Sequence, residues 1–276
     1  MRRLAAMLLA LGSASAQAAA QPVLLQIRPM PGDTVQLLLE QTVEMTGTTR
    51  VGTRDSTMSS TTSMTIRARA IVLSVDSLSS RILAMTDSVI MSSGTMLLTA
   101  PQERARRALQ GSRAEMRVLF DGSSQIISDP SELANELRSL IAEMPATLPR
   151  TPVQVGESWS KVVTVPIETQ GGVVSSASLK TTFRFDSLSR NREIAYISMS
   201  GELSRAASSA VRDTSGVEMT GTLKGEMEVD RKRGWMTNSR AVIKLRSIVP
   251  PLLGTNANPL HFNLTITQRM RALDKR

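Results

Sequence analysis

The chain of 276 residues is basic, with 33 Lys and Arg against 24 Asp and Glu, and it contains no cysteine. A disulfide-stapled scaffold and cysteine metal centres are therefore excluded, while the length suffices to bury about 70–75% of the unfolded surface in one large domain or two small ones. Two Trp, one Tyr and four Phe cannot furnish the girdles of an outer-membrane barrel, nor the stacking platforms on which bases or sugars are held.

The N-terminus has the order of a secretory signal peptide. Arg2 and Arg3 precede a short apolar run, Leu4 to Leu11, and small residues follow from Gly12 to Ala20. The run is well below the roughly 20 residues that a membrane span requires, so cleavage is expected, after Ala16 or after Ala20. This predicts a periplasmic or secreted protein, soluble and without a transmembrane segment. Export argues against nucleic acid as the partner of the basic surface, and solvation or anionic envelope material is the better reading.

Period-two alternation governs the rest. Strands are predicted at Val35–Met45, Met64–Val75, Ile82–Met91 and Ala114–Phe120. Within Met64–Val75 the apolar phase changes near Ala70, the signature of a bulge or bend. The Ser- and Thr-rich stretch Thr46 to Thr65 reads as a long polar hairpin. Thr99 and Gln102 form a capping box for a short helix over Pro101–Gln110, with Gly111 as its stop. A second helix is expected from Asp129-Pro130-Ser131-Glu132 to Met144, with Leu133, Leu137, Leu140, Ile141 and Met144 on one stripe. Its expected place is the concave side of the sheet. A proline-rich linker, Pro145 to Val155, separates the two halves.

Further strands follow at Leu179–Asp186, Glu193–Ser200, Val217–Asp230, Trp235–Arg246 and Phe262–Arg271, with an apolar, proline-rich loop at Ile248–Pro259. In Val217–Asp230 every odd position is apolar or glycine and every even one is polar, as an antiparallel strand with one wet face requires. Fourteen such residues span roughly 46 Å, and long antiparallel strands coil, so the sheet should curl around its apolar face. Gly221 and Gly225 on that face would ease the curvature or leave space. Arg117–Ile126 and Met227–Met236 echo one another as strand, Asp, Gly, strand, an ordinary hairpin signal.

No catalytic constellation emerges. His261 is the one histidine, lies on the polar side of the last strand and has no flanking acid to complete a triad. Glu218, Glu226 and Glu228 belong to a wet strand face rather than to a converging glycosidase pair. There is no phosphate loop, GxSxG or HExxH, and Asn263-Leu264-Thr265 is a chance sequon within a strand. No catalytic residue, metal ligand or cofactor is assigned, and the chain is read as non-enzymatic, with a hydrolase the weakest alternative. The functional lean is in the methionines. Met199, Met219 and Met227, with Leu179, Leu223 and Phe185, are the candidate ligand-binding residues, because flexible thioethers conform to irregular apolar ligands. The competing reading is that the same side chains simply pack the core.

Two segments carry a resemblance. Leu148-Pro-Arg-Thr-Pro-Val-Gln-Val-Gly-Glu-Ser-Trp159 resembles a segment of uncharacterised exported bacterial proteins, in which a proline-rich linker leads to Val-Gly-(Asp/Glu)-x-Trp and then a strand. Asp230 to Arg240 is similar to a companion hairpin in them. Physically, Gly156 permits a tight turn and Trp159 can anchor the linker to the core. The overall pattern also looks like the periplasmic lipoprotein-carrier fold, a half-barrel that shelters acyl chains, and that likeness is architectural.

The expected fold is mainly β: one long, curved antiparallel sheet, a half-barrel or incomplete barrel, with one or two short helices. After the leader, residues 21–276 form a single domain, with two related halves, 21–147 and 148–276, as the alternative. The expected function is an extracytoplasmic binding or carrier module for an apolar or amphipathic ligand such as a lipid. The alternative is a structural or interaction protein of the envelope, with a protein partner and no small-molecule ligand.

Overall fold

The computed structural model describes residues 21–94, 98–128, 143–144, 147–168, 174–205, 218–249 and 258–273. Among the described residues twelve strands form one sheet: β1 (Thr34–Val51), β2 (Arg54–Val75), β3 (Ser79–Ser93), β4 (Arg113–Leu119), β5 (Ser124–Ser128), β6 (Glu143–Met144), β7 (Ser158–Glu168), β8 (Val174–Leu188), β9 (Ile194–Arg205), β10 (Glu218–Asp230), β11 (Trp235–Val249) and β12 (Leu260–Leu273). Their order is β6-β5-β4-β3-β2-β1-β12-β11-β10-β9-β8-β7, so two meanders are joined where β1 pairs with β12. All pairings are antiparallel, and among the described residues no ladder joins β6 to β7. The sheet is not closed into a barrel.

The strand expectations hold, and most strands extend past them. The polar stretch Thr46 to Thr65 is the distal part of the β1–β2 hairpin, which turns at Gly52 with φ +62°. The phase change near Ala70 is a pair of register shifts against β3, between Arg67 and Ala68 and between Val72 and Ser74. The short helix α1 (Ala100–Leu109) begins with the expected capping box of Thr99 and Gln102, and Leu109 packs beside Val89 of β3. Of the helix expected over 130–144, all but the end lies outside the described residues. Its last two residues, Glu143 and Met144, are instead strand β6, paired with Gln125 and Ser124; before Pro145 the free edge of β5 offers their backbone a ladder.

Curvature brings distant strands together. Val118 of β4 packs against a core cluster from β8–β10 that includes Phe183, Phe185, Ile197 and Met227, although five strands intervene between β4 and β10 in the sheet. Val118 also packs against a second cluster that joins Val35, Val72 and Ile82 to Trp235 of β11.

Two non-sheet segments fill the space between. Val23, Leu25, Ile27 and Pro29 are buried, while the residues between them face outward. Val23 exchanges two backbone hydrogen bonds with Val153 (2.8 and 2.9 Å), and the Ile27 amide donates to the Phe120 carbonyl at 2.9 Å. From the linker, Leu148 and Val153 enter the same cluster. The base of the curled sheet is therefore plugged by the chain's own N-terminal segment and its central linker.

Candidate functional site

The inner face of the sheet is read from its register. Nearest the base, Phe185, Ile197 and Met227 form one row across β8, β9 and β10. Phe183, Met199 and Gly225 form the next, then Gly201 with Leu223, then Leu179, Leu203 and Gly221. The last of these rows continues through Leu245 and Leu264 to Met45. Alternation keeps every one of these residues on the same face, and the opposite face carries Lys180, Glu202, Thr222 and Lys244.

The six expected ligand-binding residues thus share one face but not one environment. Phe185 and Met227 are 0% and 3% exposed, sealed against Val23, Leu25 and Ile27. Met199 packs on the edge of that cluster. Leu223 is just buried, and Leu179 and Met219, nearer the distal end, are half-buried. Among these six, burial falls from Phe185 and Met227 to Leu179 and Met219, although Leu203, in the row of Leu179, and Ala177, beyond it on β8, are buried as well.

The glycines on this face are filled positions. A Cβ at Gly221 would lie 2.5 Å from Leu245 Cδ2, and one at Gly225 would lie 3.1 Å from Met199 Cγ. The nearest atom at Gly225 is the Arg240 carbonyl oxygen, and at Gly221 the Lys244 carbonyl lies at 2.7 Å, so the β11 backbone together with neighbouring side chains fills both positions and the missing methyls permit close packing rather than leave space.

Sequence reading missed the N-terminal plug, although its signal is the one used elsewhere: Val23, Leu25, Ile27 and Pro29 alternate with Leu24, Gln26 and Arg28. Trp159 anchors the linker as expected. Its indole N–H donates to the Thr147 carbonyl at 2.9 Å, and its ring stacks on Phe183 with centroids 5.8 Å apart. Gly156 takes a positive φ of +93° in the turn before it.

The echoed Asp–Gly segments are both turns. Asp121 accepts from the Ser123 amide and hydroxyl, and Asp230 from the Lys232 and Arg233 amides. Gly122 and Gly234 close them with positive φ. Both abut the plug: a Cβ at Gly122 would meet Thr147 and Ile27, and one at Gly234 would meet the backbone of Arg28 and Pro29.

The titrating groups act structurally. Burial alone would push the Asp121 carboxyl up, but hydrogen bonds from Ser123 and Arg150 outweigh it and hold the group below the usual range. Arg106 first and Arg107 second pull Glu103 down to about 2. His261 is exposed on the outer face of β12. Among the described residues no group of His, Asp and Glu is disposed to hold a metal ion, and no helix is long and apolar enough to cross a membrane.

A family model, described as a family of unknown function (DUF6263), matches residues 133–236. The chain is similar to that family over this stretch. The match takes in the linker, Trp159 and the strands that build the base of the inner face. No curated protein matches the chain.

Proposed function

We propose that this protein is an extracytoplasmic binding or carrier module for an apolar or amphipathic ligand such as a lipid. The observation that carries the reading is the one-sided apolar face, sealed at the base by Val23–Pro29 and only half-buried at Leu179 and Met219. In this reading Leu179, Met219 and Leu223 touch the ligand, Met199 lies at its inner end, and Phe185 and Met227 form the packed floor beneath. Methionine and leucine side chains suit such a ligand because they adapt to chains of variable shape, and an incompletely closed sheet leaves a long side for entry. The leader-like residues 1–20 support an extracytoplasmic location.

The test is native mass spectrometry of the protein purified from its own envelope, with lipid extraction and uptake of a fluorescent fatty acid. A co-purifying apolar molecule, displaced by the fatty acid, is the expected result. A clean apo mass with no uptake would overturn the reading.

A second reading, an envelope interaction protein without a small ligand, is favoured by the sheet's edge. Among the described residues β7 pairs with β8 alone, and Val162 on it is 66% exposed. An unpaired edge recruits other strands, and concentration-dependent self-association abolished by Val162→Lys would support this reading.

A further inference from the structure

We infer that the base of the molecule, where the β8–β9 and β10–β11 turns meet the N-terminal plug, docks on an anionic lipid bilayer. This does not depend on whether the inner face takes a cargo. Arg190, Arg192, Arg231, Lys232 and Arg233 stand on two turns that the sheet brings side by side, and all five are exposed. The turns are locked together: the Arg231 amide donates to the Glu193 carbonyl at 2.8 Å, and its guanidinium donates to the Arg192 carbonyl at 2.6 Å. Among the described residues of these two turns the carboxylates are Asp230 and Glu193, and both serve the turns themselves. Asp230 accepts from the Lys232 and Arg233 amides, and Glu193 pairs with Lys232 Nζ at 3.3 Å. Within the described turns Arg190, Arg192, Arg231 and Lys232 outnumber these two carboxylates.

Arg28 extends this patch, because Gly234 is buried against the Arg28–Pro29 backbone. Its guanidinium lies 5.1 Å over the Phe120 ring, and the Phe120 amide donates to the Leu78 carbonyl at 3.4 Å. Two apolar tips flank the arginines here: Met30 is 64% exposed and Leu78 is 73% exposed. Asp33 and Asp76 stand beside them, Asp33 accepting the Met30 amide and Asp76 the amides of Leu78 and Ser79.

A rigid basic surface edged by exposed apolar side chains matches the chemistry of a bilayer interface. Arginine and lysine take the lipid phosphates, and Met30 and Leu78 enter the boundary between headgroup and acyl chain. A soluble polyanion would use the charges and leave the two apolar tips without a partner.

The chain from Gln21 onward, which carries the whole described fold, is floated with phosphatidylcholine vesicles with and without phosphatidylglycerol. Binding is expected only with phosphatidylglycerol and falls as salt rises. The triple variant Arg231→Glu, Lys232→Glu, Arg233→Glu should weaken it at least about tenfold. Lys180→Glu, Lys224→Glu, Lys244→Glu removes the same charge from the polar outer face and should leave it largely intact. Met30→Ser, Leu78→Ser, both at exposed positions, should weaken binding while leaving the thermal transition unchanged. The inference is overturned by absence of a phosphatidylglycerol preference or by equal loss in the two triple variants. It is also overturned if heparin binds as well and the Met30, Leu78 variant binds vesicles normally, which assigns the patch to a polyanion. Should the turn variant not fold, the wild-type lipid and salt dependence and the Met30, Leu78 variant decide the matter.

Discussion

The Trp159 indole N–H donates to the Thr147 carbonyl at 2.9 Å, and Thr147 in turn gives its amide to the Asp121 carbonyl at 3.0 Å. Two bonds therefore connect β7, at one margin of the sheet, with the β4–β5 turn near the other. The margins that no ladder joins are held together at the base by the linker. Trp159→Phe keeps the stack on Phe183 and loses the hydrogen bond, so it should cost about 1 kcal/mol. Trp159→Ala loses both and should cost about 3–5 kcal/mol. Urea unfolding followed by circular dichroism separates the two.

The plug predicts a stability effect far from any strand. Leu25 has no exposed surface and sits in the cluster with Phe185 and Met227. Leu25→Ala should destabilise by about 2–5 kcal/mol, whereas Leu24→Ala, at the exposed neighbour, should change stability by less than about 0.5 kcal/mol. Equal effects in thermal melts would show that the segment does not pack as described.

Two turn glycines separate conformational cost from steric cost. Gly156 and Gly234 both have positive φ, but a Cβ at Gly156 meets open space and one at Gly234 runs into the Arg28 carbonyl. Gly156→Ala should cost about 1–2 kcal/mol from the left-handed backbone. Gly234→Ala must also displace the plug, and its loss in denaturant should clearly exceed that of Gly156→Ala.

Arg192 is the one non-glycine among the described residues with a positive φ, +60°. Its carbonyl, not its side chain, accepts the bond from Arg231. Arg192→Gly should therefore leave that bond in place and raise stability by about 0.5–1 kcal/mol, as relief of left-handed strain outweighs the added chain entropy. A lower melting temperature would contradict this.

Acid stability should report on Asp121. Its folded pKa is depressed, so its ionised form stabilises the native state above the ordinary carboxylate value of about 4 and that contribution is lost as pH falls through the folded value. Asp121→Asn should be less stable at neutral pH and show a flatter decline between pH 5 and 2 than the parent. Parallel pH profiles would show that Asp121 is not the group concerned.

Much of the architecture was legible because alternation is a local property. In Glu218–Asp230 each side chain's face follows from its place in the sequence, and the capping box of α1 and the bulges around Ala70 are likewise written within a few residues. The same alternation in Val23–Pro29 was present but short, with no turn chemistry to mark it as an element. The candidate face was legible in membership and not in environment. Leu179, Phe185, Met199, Met219, Leu223 and Met227 do share one side of the sheet, yet nothing in their own strands distinguishes the sealed Phe185 from the half-buried Leu179.

The sequence by itself determined most of the strands and which side of each is apolar, while Glu143 and Met144, expected in a helix, became strand β6. Only the tertiary structure decided that β1 pairs with β12, that the curled sheet stays open between β6 and β7, and that the N-terminal segment and linker plug its base. The reason is that strand faces depend on neighbours one and two residues away, whereas plugging depends on contacts between residues more than a hundred positions apart, such as Val23 and Val153. Such pairings follow from the twist of the whole sheet.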